Sequence, residues 1–249
     1  MKNIPILFCL LGVWLSAQEQ PDAREIVNQM TRLLNPASSR STMTQTIQTS
    51  SGQQRTLEFD MYTADSGRSV LLRYNRPTSV KGQTFLMLNN AEDIWTYFPR
   101  TRRVRKLASS SKNQKVQGSD FNFSDFSSSD MWESDYTVHL VGDSVIHKDR
   151  CWKIEARETP SNDNDYPRIV LFVRQTDYSP LLMWYFNRDG RHEKTMTFNH
   201  IETIDGIPTA KAMHMRNELE FSETSMEVID IDYHWTPPPG FFSERNLKK

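Results

Sequence analysis

The chain has 249 residues, with 30 Lys and Arg against 31 Asp and Glu, and 37% of its residues are hydrophobic. That balance suits a core-forming domain, two at most, and excludes a generally basic nucleic-acid-binding protein. Nine Gly and 12 Pro are too few for a fibrous or disordered chain, and two Cys, Cys9 and Cys151, exclude a disulfide-rich scaffold or a multi-cysteine metal site.

The first element reads as a targeting signal. Met1-Lys2-Asn3 is a short positive start, Ile4 to Leu15 is an apolar run without charge, and Ser16-Ala17 precede the polar Gln18-Glu19-Gln20. That order is the order of a secretory signal peptide cut after Ala17. The run is shorter than the roughly 20 apolar residues that span a bilayer. Cys9 lies in mid-run and not after small residues at the cut, which argues against a lipoprotein signal. Loss of residues 1–17 leaves 29 bases against 31 acids, with Cys151 as the sole thiol and residues 18–249 as one domain. The mature protein is expected to be soluble and exported.

Asp22 to Asn35 predicts an amphipathic helix. Ile26, Val27, Met30, Leu33 and Leu34 recur at spacings of three and four, Asp22 can cap the start, and Pro36 lies beyond the end. The period then changes to two. In Thr56 to Tyr62, Leu57, Phe59 and Met61 share one face while Glu58 and Asp60 take the other, the pattern of a half-buried strand.

Similar segments follow through the chain. They are Met43 to Thr49, Arg68 to Tyr74, Gln83 to Leu88, Asp93 to Phe98, Arg102 to Leu107 and Tyr136 to Val141. The series continues with Cys151 to Glu158, Arg168 to Arg174, Pro180 to Phe186, His192 to Ile204, Thr209 to Arg216 and Ser225 to Tyr233. Turn signals separate many of them, among them Gly142-Asp143, Asp189-Gly190 and Asp205-Gly206. About a dozen antiparallel strands with few helices predict a mainly β fold, one large curved sheet or an incomplete barrel. Ile169 to Val173 and Leu181 to Phe186 are apolar on both faces, which predicts a central strand pair under the opening helix. The tail from Trp235 to Phe242 is expected to pack along the sheet.

Ser109 to Asp135 interrupts the strands. It is polar and Ser-rich but carries Phe121, Phe123, Phe126, Met131 and Trp132. A long loop in a compact domain is commonly functional. Two readings stand, a surface loop pinned by aromatics and a lid across the mouth of the sheet, with Phe121, Phe123 and Phe126 as its apolar contacts.

Catalytic chemistry finds little support. Gly142-Asp143-Ser144-Val145 resembles the nucleophile block of one esterase class, but it falls in an expected turn between strands, and no Gly-x-Ser-x-Gly elbow exists. No His pair stands at metal-ligand spacing, and no phosphate-cradling Gly-rich loop is present. No cofactor and no catalytic residue are expected, and a serine hydrolase using Ser144 is the distant alternative. The strongest charge feature is Arg100-Thr101-Arg102-Arg103-Val104-Arg105-Lys106. It is either a solvated edge hairpin or a docking surface for an anionic partner or lipid phosphates, carried by Arg102, Arg103, Arg105 and Lys106.

Asp93 to Pro99 running into Arg102 to Leu107, followed by Gly118-Ser119-Asp120-Phe121-Asn122-Phe123-Ser124-Asp125-Phe126, resembles the outer-membrane lipoprotein-sorting, LolA-like family of Gram-negative bacteria. The resemblance implies an open antiparallel half-barrel with helices over its concave side. Its hollow would hold the acyl chains of a lipoprotein or a free lipid in the periplasm. It also implies a membrane transporter of the resistance-nodulation-division type as a partner, transient membrane contact, and no catalysis. Alternation puts Leu57, Phe59, Met61, Val70 and Leu72 inward. It puts Phe85, Met87, Trp95, Tyr97, Trp184, Phe186, Met196 and Phe198 inward within one register step. These form the expected cargo-lining set, with Met side chains suited to variable chains. The rival reading is an interaction module with a filled core, an accessory to an envelope transport complex.

Overall fold

The computed structural model describes residues 21–127, 130–160, 162 and 164–248, so the expected signal sequence lies outside the described residues. Helix α1 (Ala23–Leu34) starts where the Asp22 carboxylate accepts a 3.0 Å bond from the Arg24 backbone N–H. That cap satisfies one of the orphan donors of the first turn. Ile26, Val27 and Met30 are buried on one side of the helix.

The remaining chain is dominated by one antiparallel sheet. β1 (Ser38–Gln48), β2 (Gln54–Ala64), β3 (Ser69–Arg76), β4 (Thr84–Leu88), β5 (Asp93–Phe98) and β6 (Arg103–Lys106) run as one meander. β7 (Tyr136–Ile146), β8 (Asp149–Glu158), β9 (Arg168–Arg174), β10 (Pro180–Phe186), β11 (His192–Ile204), β12 (Ile207–Asn217) and β13 (Ser222–Asp232) run as a second. β1 pairs with β13 and joins the two, giving the order β6-β5-β4-β3-β2-β1-β13-β12-β11-β10-β9-β8-β7. Local turn chemistry explains much of this. Asp205 and Gly206 both have positive φ, 50° and 79°, between the paired Ile204 and Ile207. That is the two-residue turn whose twist suits a hairpin.

The sheet is curved and does not close, because β6 and β7 are both edges. The chain between those edges, residues 107–135, crosses the concave side, where its Val116, Phe121, Phe123 and Trp132 join the main core. It contains the short helices α2 (Phe123–Phe126) and α3 (Met131–Ser134). α1 lies beside it, packed against β7, β12 and α3. The main core lies in the concavity and includes Phe59, Val70, Leu72, Met87, Ile154 and Leu171.

Two smaller clusters occupy the convex face. One gathers Leu71, Leu86 and Leu247 with Trp95, Tyr97, Phe241 and Phe242, so the C-terminal tail covers β3 to β5. Tyr62 meets Trp235 and Phe241 at 5.3 and 4.8 Å, and the Arg73 guanidinium donates to the Asn246 carbonyl at 2.9 Å. The other gathers Cys151, Val170, Phe172 and Leu181 with Trp184 and Phe186. β9 and β10 thus lie toward one end of the sheet and not at its centre. Their second apolar face meets this outer cluster and not α1, which corrects the expected central pair. Gly142 to Ser144 also departs from expectation: it belongs to β7, past a register shift at Gly142, and the turn comes at His147. Among the described residues no helix is long and apolar enough to cross a membrane.

Candidate functional site

The segment between β6 and β7 is clamped at two places by groups that sequence spacing alone does not connect. At its middle stands Asp120, 1% exposed. Its carboxylate accepts from the Ser222 hydroxyl at 2.6 Å and the Thr224 hydroxyl at 2.8 Å, both on β13, and lies 3.5 Å from the Lys115 ammonium. Its backbone N–H donates to Thr224 Oγ1 at 2.9 Å, and its carbonyl accepts from the buried Lys194 Nζ at 2.7 Å. Gly118 just before it has φ +66°, and a Cβ there would stand 3.0 Å from the Arg55 guanidinium, so glycine fits the turn. Near the C-terminal end of the segment the Arg24 side chain donates to the carbonyls of Trp132 and Tyr136. Between them the Ser127 hydroxyl donates to the Gly67 carbonyl at 3.1 Å.

The aromatics of the segment divide the concavity. Phe123 enters the half under β2 to β4, where Phe59, Tyr74, Phe85 and Phe123 form a chain of rings 5.3, 6.0 and 5.3 Å apart. That half is filled. Phe121 and Phe126, 5.9 Å apart, roof the other half. Under them lies a hollow of about 260 Å³. Its walls carry Met43, Met183, Met196, Met213, Met226 and Phe198, with Met61 from β2 and Met131 from α3.

Of the residues expected to line a cargo site, Met61, Met196 and Phe198 line this hollow, as do Phe121 and Phe126 of the expected lid. Leu57, Phe59, Val70, Leu72, Phe85 and Met87 of the lining set, and Phe123 of the lid set, are on the same concave side but inside the packed core. Trp95 and Tyr97 lie on the convex face under the tail, and Trp184 and Phe186 lie in the other convex cluster. These four are corrected: their strands present Ile94 and Thr96, and Met183 and Tyr185, to the inside. The residues missed are the intervening ones, above all Met183 and Tyr185, together with Ser41 and Asp125. A count of methionines in β10 to β13 was the available signal.

Asp125 is the one charged side chain among the described residues that line the hollow. Its exposed surface looks into the hollow and into a neighbouring polar cleft of about 220 Å³. Enclosure by protein pushes its carboxyl above the ordinary carboxylate range, against the pull of Lys194 and of the Asn122 backbone N–H, which donates to it at 2.7 Å. Burial likewise raises the Tyr185 phenol well above its usual value.

The basic hairpin lies apart from the hollow, at the free edge formed by β6. Arg100, Arg102, Arg103 and Arg105 are exposed, and none forms an ion pair among the described residues. Lys106 differs. Its ammonium pairs with Asp93 at 2.6 Å and lies 4.9 Å from the centre of the Trp95 ring. Gly82 of the preceding loop approaches Pro99, which places Lys81 near the same tip, where Phe98 is 38% exposed. Ser144 sits near the end of β7 opposite Cys151, with His147 past the strand end.

A family model described as "Uncharacterized protein" matches residues 66–249. No curated protein matches the chain. Among solved structures, a domain described as an outer membrane lipoprotein-sorting protein from Vibrio parahaemolyticus is 22% identical with a TM-score of 0.81, covering 91% of this chain and 98% of that one. A DUF1329 family protein from Desulfovibrio piger is 24% identical with a TM-score of 0.81, covering 90% and 97%. A LolA superfamily protein from Nitrosomonas europaea is 17% identical with a TM-score of 0.75, covering 91% and 100%.

Proposed function

The chain belongs to the family whose model spans residues 66–249, and its fold is LolA-like; from that premise we propose that it is a periplasmic carrier for acyl chains. Residues 1–17 direct export, and residues 18–249 form the carrier domain. The cargo is the acyl part of a lipoprotein or of a free lipid, held without covalent chemistry or cofactor and delivered between membranes or to a transporter of the resistance-nodulation-division type.

The observation that carries this reading is the methionine-walled hollow under Phe121 and Phe126. Its volume of about 260 Å³ exceeds the ~150 Å³ cavity that holds benzene and falls just under the ~300 Å³ floor of ordinary ligand pockets. It therefore takes part of one acyl chain with the roof closed. Each buried methylene contributes roughly 0.8 kcal/mol, so about ten give ~8 kcal/mol of gross driving force. A longer chain requires Phe121 and Phe126 to move, which makes residues 109–135 the lid.

The carrier docks through its basic edge. The free Arg102, Arg103 and Arg105 face lipid phosphates or an acidic partner surface, and Lys106, held by Asp93, supports the hairpin. Reversing Arg102, Arg103 and Arg105 to Glu is expected to lower association with membranes or the transporter; unchanged association removes the docking role. The test of carriage is native mass spectrometry, with lipid extraction, on protein purified from its own periplasm without detergent. A bound phospholipid or acylated-peptide mass supports the reading and names the cargo. A bare polypeptide mass, repeated after adding membranes, replaces it with a filled-core interaction module.

A further inference from the structure

The hollow is not apolar throughout. The inner face of β1 presents Ser39, Ser41 and Met43 in succession to it. Most hydroxyls in this wall are matched within the protein. Ser39 bonds Thr63 at 2.8 Å, and Thr209 bonds the Tyr233 hydroxyl at 2.7 Å and the Ile207 carbonyl at 3.0 Å. Ser41 is the exception. It is 2% exposed, and its hydroxyl has no hydrogen-bond partner among the described residues.

A buried hydroxyl left unpaired is a standing cost to the fold. We propose that the Ser41 hydroxyl donates a hydrogen bond to the carbonyl oxygen of a bound acyl group, so that the hollow selects acyl esters and amides over bare hydrocarbon. The inference rests on the carrier reading and specifies its ligand chemistry. The position along β1 fits that role. Beyond Ser41 the wall becomes Met43, with Met226 and Phe198 near it in the same hollow, the environment for a hydrocarbon tail. Before Ser41 it becomes Ser39 and Pro36, with Leu34 42% exposed, the environment for a departing headgroup. Met61 and Ile231 sit opposite Ser41 on the two neighbouring strands. Met61 is flexible enough to yield as the acyl group reaches the hydroxyl.

The test compares binding of a lysophospholipid with an acyl ester, its alkyl-ether counterpart of equal chain length and headgroup, and an N-acylated peptide. Each is titrated against the parent protein and Ser41→Ala. The parent is expected to bind the carbonyl-bearing ligands about three- to tenfold more tightly than the ether, the worth of one neutral hydrogen bond. Ser41→Ala should erase that preference and leave ether binding as it was. The substitution removes an unpartnered group, so the fold tolerates it, and the ether serves as the internal control. A Ser41-dependent gain confined to the ester places the contact on a glycerol ester, and one confined to the amide places it on the N-acyl group of a lipoprotein. Equal loss for ester and ether, or no loss for either, overturns the role of Ser41 while carriage stands. If none of the three ligands binds the parent, the carrier reading itself fails.

Discussion

Asp120→Ala tests how the lid segment is held. The carboxylate is 1% exposed and accepts two short hydroxyl bonds, at 2.6 Å from Ser222 and 2.8 Å from Thr224. Bonds to a charged acceptor contribute about 1.5–3 kcal/mol each. Ser222 is only partly buried and can turn to water, so its loss lies at the low end. Thr224 is fully buried, and its hydroxyl hydrogen would be orphaned, which costs about 1–3 kcal/mol. Lys115 adds little, because it is partly exposed and already paired with Glu220. The expected loss is about 3–5 kcal/mol, the range for breaking a buried charged network from one side. Asp120→Asn keeps one acceptor and should lose about 1–2 kcal/mol. Urea denaturation read by circular dichroism gives the global term, and limited proteolysis within residues 109–135 gives the local one. Loss of under about 1 kcal/mol with an unchanged cleavage rate would refute the clamp.

Two further outcomes follow from the same packing. Asp125→Asn removes a carboxyl whose folded-state value is raised by enclosure, against the pull of Lys194. A raised acid contributes stability that is complete below the unfolded value near 4 and is lost as pH rises through the folded value. The parent should therefore lose stability relative to Asp125→Asn as pH rises above ~4, measured as the difference in denaturation midpoints, and a flat or inverted difference counts against it. Leu247→Ala should destabilise by about 2–3 kcal/mol, because the side chain is 1% exposed against Leu71 and Leu86. A midpoint equal to that of the parent would mean that the tail only rests on the sheet.

Strand number and chain order were legible because alternation and turn chemistry are local. In β2, Glu58 and Asp60 mark the wet face, so the inward side of Leu57, Phe59 and Met61 follows from neighbours alone. β5 offers no such mark. Its largest side chains, Trp95 and Tyr97, point outward because Phe241, Phe242 and Leu247 arrive from the far end of the chain to cover them. β10 is apolar at Met183, Trp184, Tyr185 and Phe186 alike. Its face was decided by pairing with β9, whose Ile169 and Leu171 lie in the main core and whose Val170 and Phe172 lie outside it. Both errors are one register step, and both strands owe their orientation to partners that no local pattern reveals.

The hollow itself has a different origin from the sheet that bounds it. β6 and β7 are the two edges, and the connection between them brings Val116, Phe121, Phe123 and Trp132 into the concavity. Whether that connection fills or only roofs the space depends on which side chains it brings. Under β2 to β4 it brings Phe123 against rigid rings, and the space closes into an aromatic core. Under β10 to β13 it meets methionines, whose unbranched side chains pack loosely and adapt to their contents. Phe121 is held beside the Asp120 clamp, its carbonyl accepting from the Val116 N–H at 2.8 Å, whereas Phe126 is only half-buried, so the roof is least constrained at Phe126. Movement at Phe126 would admit a chain with the Phe123 rings left in place, and that division between a rigid and an adaptable half suits the proposed carriage.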